Sequence, residues 1–412
     1  MMTMASRPLA TFTPANIGAG VATRAPARDL PRLYINGRFL TQQTTGVQRA
    51  AREIVFEIDR LLQRGRLAAD VTLLVPPGPW VQRLSTKRIT VETIGTMRGV
   101  LWEQLSLPKR ASGGTLLSLG NSAPIRALLD RDTRVAVMIH DVSFLDFPGA
   151  YKRAYRMGHS LMLPVMMRRA DTILTVSQTE RERLVRMGPA TPIVVAPNGG
   201  WRGEPTRFGE VPSLPDTYGL YVGSFSLRKN FPRTLEAAIR LAREDGLHSV
   251  FVGTAGRIMR KPRFEIPADV ADRIHLIGQI NDPGQLAQIY RGARVLLFPS
   301  LYEACPLPPA EAAHFGCPAV VSNIPAIWER CGRGAAYCDP ASVDSILDAV
   351  RSVIDETPAR ARAIAAGWAH SDNWSWSDQA ALVCASALGS ACLLDEPATL
   401  DDVDFEGYAA SA

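Results

Sequence analysis

Short, almost wholly apolar runs alternate along the chain with stretches whose apolar residues fall at helical spacing. Leu33–Ile35, Val71–Val75, Thr115–Ser118, Val135–Ile139, Asp171–Ser177 and Ile193–Ala196 are runs of the first kind. Such runs, bounded by Gly, Pro and Asn, read as strands of a parallel sheet covered on both faces. Between the first two, Val47, Ala50, Ala51, Ile54, Val55, Ile58, Leu61 and Leu62 place one apolar face on a helix that ends near Gln63. A helix around Leu101–Leu105 is expected to stop at Pro108, and one from Tyr151 to Arg169 to kink at Pro164. Ser177 is placed to cap a helix over Gln178–Met187. The second half repeats the alternation. Strands are expected at Gly219–Gly223, Ser249–Gly253, Ile274–Gly278, Val295–Phe298 and Ala319–Val321. Helices are expected from near Pro232, from Pro283 to Tyr290, from Val343 to Val353 and from Ser377 to about Leu388.

This βαβα alternation in both halves predicts two doubly wound α/β domains facing each other. Pro197-Asn198-Gly199-Gly200 and the proline-bearing loop to Asp216 mark the join. The expected divisions are a disordered lead over 1–30, an N-terminal domain over 31–198 and a C-terminal domain over 199–376. A helix over 377–394 then crosses back to the first domain, and an acidic tail over 395–412 is loose.

Composition narrows the partners. The 412 residues are 46% hydrophobic and 21% charged, as in a globular protein with room for two domains, and the net charge is +6. That mild excess suits phosphates, an anionic membrane surface or nucleic acid. No basic–aromatic stripe accompanies it, so nucleic acid is set aside. The six cysteines include no C-x-x-C pair and read as reduced thiols of an intracellular, cytoplasmic protein. No apolar run is long enough to span a bilayer, and the first thirty residues lack the apolar core of a signal peptide. The helix expected over 151–169 mixes Met and Leu with Arg and Lys. Two readings stay open for it: a covering helix with a solvated basic face, or peripheral contact with a membrane.

Candidate chemistry gathers at the carboxyl ends of the strands, where open α/β sheets bind ligands. After Phe298 the chain turns at Pro299-Ser300 into a loop with three prolines, then into a short helix expected to open near Glu311. Glu303 and Glu311 bracket that loop, placed to accept hydrogen bonds from sugar or ribose hydroxyls. Arg228-Lys229 follows the strand ending at Gly223 and precedes a helix start, a natural site for a diphosphate. Neither the P-loop pattern nor G-x-G-x-x-G is present there. Asp130-x-Asp132 and Asp402-x-Asp404 fall in a loop and in the tail, so no metal site is expected. His140-Asp141 ends another strand, and Gly46, with Gln48 and Arg49, sits at a strand-to-helix turn. Cations for a diphosphate, carboxylates for hydroxyls and a cleft between domains together describe a nucleotide-diphosphate-sugar site.

At these residues the chain resembles the family-4 retaining glycosyltransferases of the GT-B fold. The resemblance rests on YVGSFSLRKN (Tyr221–Asn230), PNGG (Pro197–Gly200) and SLYEACPLPPAEAAHFGCPAVVSNIPA (Ser300–Ala326) with its E-x7-E. INGRFLTQQTTGVQRAARE (Ile35–Glu53), LWEQLSLP, SLGNSAP and HDVSFLDFP (His140–Pro148) are similar to a bacterial subgroup whose members are often mannosyltransferases of surface-polysaccharide assembly. The resemblance implies that Arg228 and Lys229, with Gly223 nearby, hold the donor diphosphate, and that Glu311 binds the ribose. It implies that Glu303 and the backbone of Cys305, Pro306 and Leu307 hold the transferred sugar, with His140 reaching it from the other domain. Gly46, Val47, Gln48 and Arg49 would lie on the acceptor side. The family usually reads E-G-F-G-L-P; here E-A-C-P-L-P places Pro306 where a glycine would offer an N–H. The implied reaction is retaining, metal-independent hexosyl transfer without a cofactor. The donor is a nucleotide sugar, GDP-mannose before a UDP-hexose, and the acceptor a glycan or polyprenyl-linked saccharide at the inner face of the membrane. The rival readings are a non-catalytic nucleotide-sugar-binding scaffold and an epimerase or phosphorylase on the same fold.

Overall fold

The computed structural model describes residues 30–82, 84–203, 213–255, 259, 262–355, 357–371 and 375–394. The expected lead and tail lie outside the described residues.

Two parallel sheets follow one another in the chain. The first holds β1 (Arg32–Asn36), β2 (Asp70–Val75), β3 (Thr90–Thr93), β4 (Thr115–Ser118), β5 (Arg134–Met138), β6 (Thr172–Thr175) and β7 (Ile193–Val195), in the order β3-β2-β1-β4-β5-β6-β7. The second holds β8 (Tyr218–Val222), β9 (His248–Val252), β10 (Ile274–Gly278), β11 (Ala293–Phe298), β12 (Ala319–Ser322) and β13 (Ala336–Cys338), in the order β10-β9-β8-β11-β12-β13. Strand order reverses between β1 and β4 in one sheet and between β8 and β11 in the other. Those are the switch points at which crevices open. β3 was not expected: Thr90-Val91-Glu92-Thr93 is a polar edge strand with little burial.

The helices of the first half are α1 (Gly46–Gln63), α2 (Gly99–Leu101), α3 (Leu107–Ala111), α4 (Ile125–Leu129), α5 (Ser143–Asp146), α6 (Arg153–Arg169) and α7 (Gln178–Val185). Those that follow are α8 (Phe231–Glu244), α9 (Pro283–Gly292), α10 (Pro308–His314), α11 (Pro325–Cys331), α12 (Val343–Ile354), α13 (Pro358–Ser371) and α14 (Trp376–Leu388). The first sheet is apolar on both faces. Leu33, Ile35 and Leu73 pack with Ile54 and Ile58 of α1 and with Ala380 and Val383 of α14. Leu116, Val135 and Val137 pack on the other face with Trp102, Leu107, Leu128 and Met166. Helix α14 therefore does cross back onto the first sheet, and the whole is the GT-B arrangement of two Rossmann-like units.

Two local expectations change. The helix near Leu101 does not stop at Pro108 but runs to Ala111. Residues Trp102–Ser106 form a π turn in which the Leu107 N–H reaches back to the Trp102 carbonyl. The wider turn relieves the clash a proline makes with the preceding turn. Helix α6 does run through Pro164 to Arg169, as expected. An interior proline costs about 3 kcal/mol, and burying Leu163, Met166 and Met167 returns about 1.5–3 kcal/mol each. Helix α10 opens at Pro308, three residues before Glu311, because Pro308 and Pro309 fit a first turn that needs no N–H.

The Pro197–Gly200 segment is pinned from the second half. The Arg330 guanidinium donates to the carbonyls of Asn198 and Gly199, each at 2.7 Å, and Trp376 Nε1 donates to Gly200 at 2.7 Å. A side chain at Gly199 would lie 2.3 Å from the Trp376 ring, so only glycine fits beneath the indole.

Candidate active site

The second sheet's switch point positions the charged centre. Beyond β8 the chain passes through Ser226–Asn230 and enters α8; beyond β11 it passes through Ser300–Glu303. The Leu301 N–H donates to the Arg228 carbonyl at 2.9 Å and ties the two loops together. Asn230, the N-cap of α8, has φ of 54°, a left-handed conformation that costs a non-glycine residue energy. Its amide donates to the carbonyls of Pro299 (2.9 Å) and Pro340 (2.7 Å), which holds it there. Below, Phe225 stacks on Phe231 at 4.4 Å. At Gly253 φ is 136° and a Cβ would sit 1.9 Å from the Gly223 carbonyl, so glycine is required where β9 ends beside Gly223.

This frame brings Arg228, Lys229 and Glu303 together. Lys229 Nζ donates to Glu303 Oε1 at 2.6 Å, and Arg228 Nη1 lies 3.6 Å from Glu303 Oε2. Arg228 Nη1 also donates to the Tyr302 carbonyl at 3.0 Å, while its Nε is buried with no hydrogen-bond partner among the described residues. The three charged side chains are mostly buried, and Lys229 lies 4.7 Å from the Phe298 ring centroid. Burial pushes the Lys229 ammonium below its usual range, the Glu303 carboxylate opposes that, and Arg228 adds to it. Arg228 and Lys229 face Glu303 directly, with Asp141 acting on both from the first half; paired cations at the end of a parallel sheet are a setting suited to a diphosphate.

Glu311 sits apart from that centre. It is 2% exposed, accepts from Tyr290 Oη at 2.7 Å, and pairs with Arg49 of α1. Arg49, expected on the acceptor side, thus crosses to the second half, where it also stacks over Trp201. Gln48 Nε2 donates to Gln42, and the Thr44 carbonyl accepts from Gln279 Nε2 at 3.0 Å. At Gly46 an added Cβ would meet nothing within 4 Å, so packing does not dictate that glycine. Val47 follows it in the first turn of α1. The loop before α10 is equally tied. The Cys305 carbonyl accepts from Asn198 at 3.4 Å, and burial raises the Cys305 thiol above its usual value. Pro306 is buried, and Leu307 packs with Ala50 and Trp376.

From the first sheet, β5 delivers His140-Asp141. His140 is 4% exposed, with Nε2 at 3.0 Å from the Leu119 carbonyl and its backbone N–H donating to Asn121 Oδ1 at 2.5 Å. Burial depresses its basicity. Asp141 is half-buried, and its Oδ1 accepts from the Ser143 N–H (3.0 Å) and hydroxyl (2.5 Å). Asp141 also raises Tyr302 electrostatically, after the larger effect of that phenol's own burial.

Three residues that the sequence reading passed over join the halves here. Tyr302, beside Glu303, donates to Glu180 Oε2 at 2.6 Å. Ser177-x-x-Glu180 has the spacing of a capping box, a signal for a local helix start. Ser177 does cap α7, but Glu180 turns away to accept from Val142 N–H at 2.9 Å and from Tyr302. Glu329 of α11 takes the freed end of α7, accepting from Gln178 N–H (2.6 Å) and from Thr179 N–H and hydroxyl (both 3.0 Å). Among the described residues no group of three or more His, Cys, Asp or Glu could hold a metal ion.

The family profile described as "Glycosyl transferases group 1" matches residues 205–369, and that described as "Glycosyltransferase Family 4" matches 115–199. Among curated proteins, the chain is 26% identical over 259 residues to O-antigen chain mannosyltransferase B of Escherichia coli, covering 60% of this chain and 68% of that one. It is 22% identical over 221 residues to O-antigen chain mannosyltransferase RfbU of Salmonella typhimurium, covering 53% and 60%. It is 27% identical over 229 residues to glycogen synthase of Mycobacterium tuberculosis, covering 51% and 52%. The chain thus spans from about half to two thirds of these relatives. Among solved structures, sucrose-phosphate synthase from Thermosynechococcus elongatus superposes with a TM-score of 0.65 at 18% identity, over 85% of this chain and 96% of that one. Anabaena HepE, solved with UDP-glucose, superposes with a TM-score of 0.60 at 14% identity, over 86% and 98%. The chain has the fold of these enzymes and is related at low identity to glycosyltransferases that share it.

Proposed function

We propose that this relative of the GT-B glycosyltransferases moves a hexose from a nucleoside diphosphate sugar to a hydroxyl of a glycan or lipid-linked glycan, with retention at the anomeric carbon. GDP-mannose is the proposed donor and surface-polysaccharide assembly the proposed setting. The observation that carries this reading is the buried Arg228–Lys229–Glu303 constellation at the switch point of the second sheet. The choice of mannose is supported by the names of the two O-antigen mannosyltransferases among the relatives.

In this reading Arg228 and Lys229 stabilise the negative charge that develops on the leaving diphosphate, doing so without a metal. The diphosphate competes with Glu303 for the Lys229 ammonium, which frees a Glu303 oxygen to accept from a hydroxyl of the transferred sugar. Glu311 is the ribose carboxylate, oriented by Tyr290 and Arg49. No side chain is assigned as a covalent nucleophile. The acceptor hydroxyl attacks the face the diphosphate leaves, and rate comes from holding both partners in register. His140, tied back to Leu119, fixes the strand end that presents Asp141 to the cleft. Pro306 withholds one backbone N–H from the sugar side, so the contacts that select the sugar come from side chains more than from that loop.

Calorimetric titration with GDP-mannose, UDP-glucose and UDP-N-acetylglucosamine, followed by NMR assignment of the product anomer, tests the proposal. Preferential binding of GDP-mannose and an α-linked product are expected. Binding of no nucleotide sugar overturns the reading, a β-linked product overturns retention, and preference for a UDP sugar overturns the donor.

A further inference from the structure

Tryptophan is a residue that folding usually buries. Trp328 of α11 is 46% exposed, yet its orientation is fixed from two sides. It stacks on Tyr337 of β13 with ring centroids 4.0 Å apart and planes 5° from parallel. Its Nε1 donates to Asn323 Oδ1 at 2.6 Å, and Tyr337 Oη donates to the Gly332 carbonyl at 2.6 Å. Each ring is thus held at its polar end as well as face to face. Tyr337 covers one face of the indole. Among the described residues no other ring or cation stacks on it, so the opposite face is the one left to solvent.

The border of this flat surface is polar. Asn323 is exposed, and with its oxygen taken by the indole its NH2 is left to donate. Arg333, next to Gly332, and Asp339, two residues beyond Tyr337, are exposed as well. Among the described residues Arg333 enters no ion pair. A pyranose ring carries C–H bonds on its faces and hydroxyls around its rim. The C–H groups suit the electron-rich face of an indole, and the hydroxyls can accept from an amide or guanidinium and donate to a carboxylate. A wholly apolar partner would strip water from those polar groups and give nothing back.

The surface also stands at the working end of the second sheet. Asn323 follows β12 and Asp339 follows β13, at the same strand ends where β11 leads to Glu303. β13 lies two strand spacings from β11, about 10 Å. Ser322 Oγ donates to the Ser300 carbonyl and joins the end of β12 to the loop that carries Glu303. Glu329, next to Trp328, holds the start of α7, so the indole stands where the two halves meet.

We infer that Trp328, backed by Tyr337 and bordered by Asn323, Arg333 and Asp339, binds one pyranose unit of a glycan chain at a site separate from the donor centre. The inference rests on the glycosyltransferase reading for the source of that chain, which would be anchored here by a unit other than the one that reacts. Binding at the indole itself requires no nucleotide sugar.

Saturation-transfer NMR and calorimetric titration of the full chain, without nucleotide, test the site with mannotriose and maltotriose as probes and sorbitol as an acyclic polyol. At least one triose is expected to bind, with saturation greatest on the C–H protons of a single ring, and sorbitol is not. Trp328→Ala is expected to weaken triose binding by about tenfold or more, and Trp328→Phe, which keeps a ring on Tyr337, by about threefold or less. Arg333→Gln, a change at an exposed position, is expected to weaken it by about threefold and keeps the test standing if Trp328→Ala does not fold. Titration of GDP-mannose into the same proteins separates this inference from the transfer reading. Triose binding that depends on Trp328 in a chain that binds no nucleotide sugar upholds the site and removes the transfer reading. Binding of neither triose, wild-type affinity in both Trp328→Ala and Arg333→Gln, or sorbitol binding as tightly as a triose overturns the site whatever donor is bound. So does a wild-type dimer in light scattering that Trp328→Ala converts to monomer, since a second copy of the chain would then cover the indole.

Discussion

Lys229 and Glu303 hold each other at 2.6 Å, mostly shielded from water, so replacing either exposes the chemistry of the other. We predict that Lys229→Ala lowers sugar transfer by about 100-fold or more, while circular dichroism remains that of the folded chain because Arg228 still neutralises Glu303. Wild-type turnover in that variant would remove the diphosphate role. Glu303→Gln keeps the shape but loses the charge. It should lower kcat by about tenfold or more and leave the Kd for the free nucleoside diphosphate nearly unchanged, as titration would show; parallel losses in both would contradict a role toward the sugar. These residues were legible in the sequence because each sits within a few positions of an apolar strand's end, and strand ends are where such sheets bind. Arg49 was legible only as a polar residue in a turn. Its partner Glu311 lies 262 positions away, and no local pattern encodes which of several carboxylates a cation on a facing domain will meet.

At the scale of elements, α7 shows how a correct local signal gives an incomplete result. Ser177 and Glu180 have capping-box spacing, and the helix does begin where that spacing says. The Glu180 carboxylate is then drawn off by Tyr302 and Val142, and the first N–H groups of α7 are satisfied by Glu329 from the other half. A carboxylate there also meets the positive end of the helix dipole. Removing it leaves two backbone donors without their partner. Glu329→Ala should therefore destabilise the chain by about 1–2 kcal/mol in urea unfolding, and Glu329→Gln, which keeps an acceptor, by less. Equal losses would mean that the charge, not the hydrogen bonds, carries the contact. The π turn at Trp102–Ser106 was illegible for a different reason. Pro108 is a true helix-breaking signal, and the wider turn that carries the helix past it starts at Trp102, wholly buried with Nε1 donating to the Ile94 carbonyl at 2.8 Å, a tertiary anchor that no local pattern encodes.

At the scale of the whole molecule, the two halves meet through a titratable bond. Burial raises the Glu180 carboxyl from 4.5 to about 7, with Asp141 adding to the rise while the Tyr302 hydroxyl and the Val142 N–H oppose it. A carboxyl raised on folding binds its proton more tightly in the native state. Its contribution to stability is therefore fully present below the unfolded value, near 4.5, and is lost as pH rises through about 7. The shift corresponds to roughly 3 kcal/mol between those limits. In Glu180→Gln the amide carbonyl still accepts from Val142 and the NH2 still donates to the Tyr302 oxygen, so the contact survives without ionising. We predict that the variant and the wild type melt at similar temperatures at pH 5, and that the variant melts higher at pH 8, by several degrees. A difference independent of pH would show that Glu180 does not titrate across the interface. The Tyr302 hydroxyl and the Val142 N–H both donate to Glu180 and favour its ionised form, so the contact itself outlasts the titration and the stability lost is that of burying the charge. The KM for the nucleotide sugar is therefore expected to be the same for wild type and Glu180→Gln at pH 6 and at pH 8, and a wild-type KM that alone rises with pH would mean that ionisation breaks the contact.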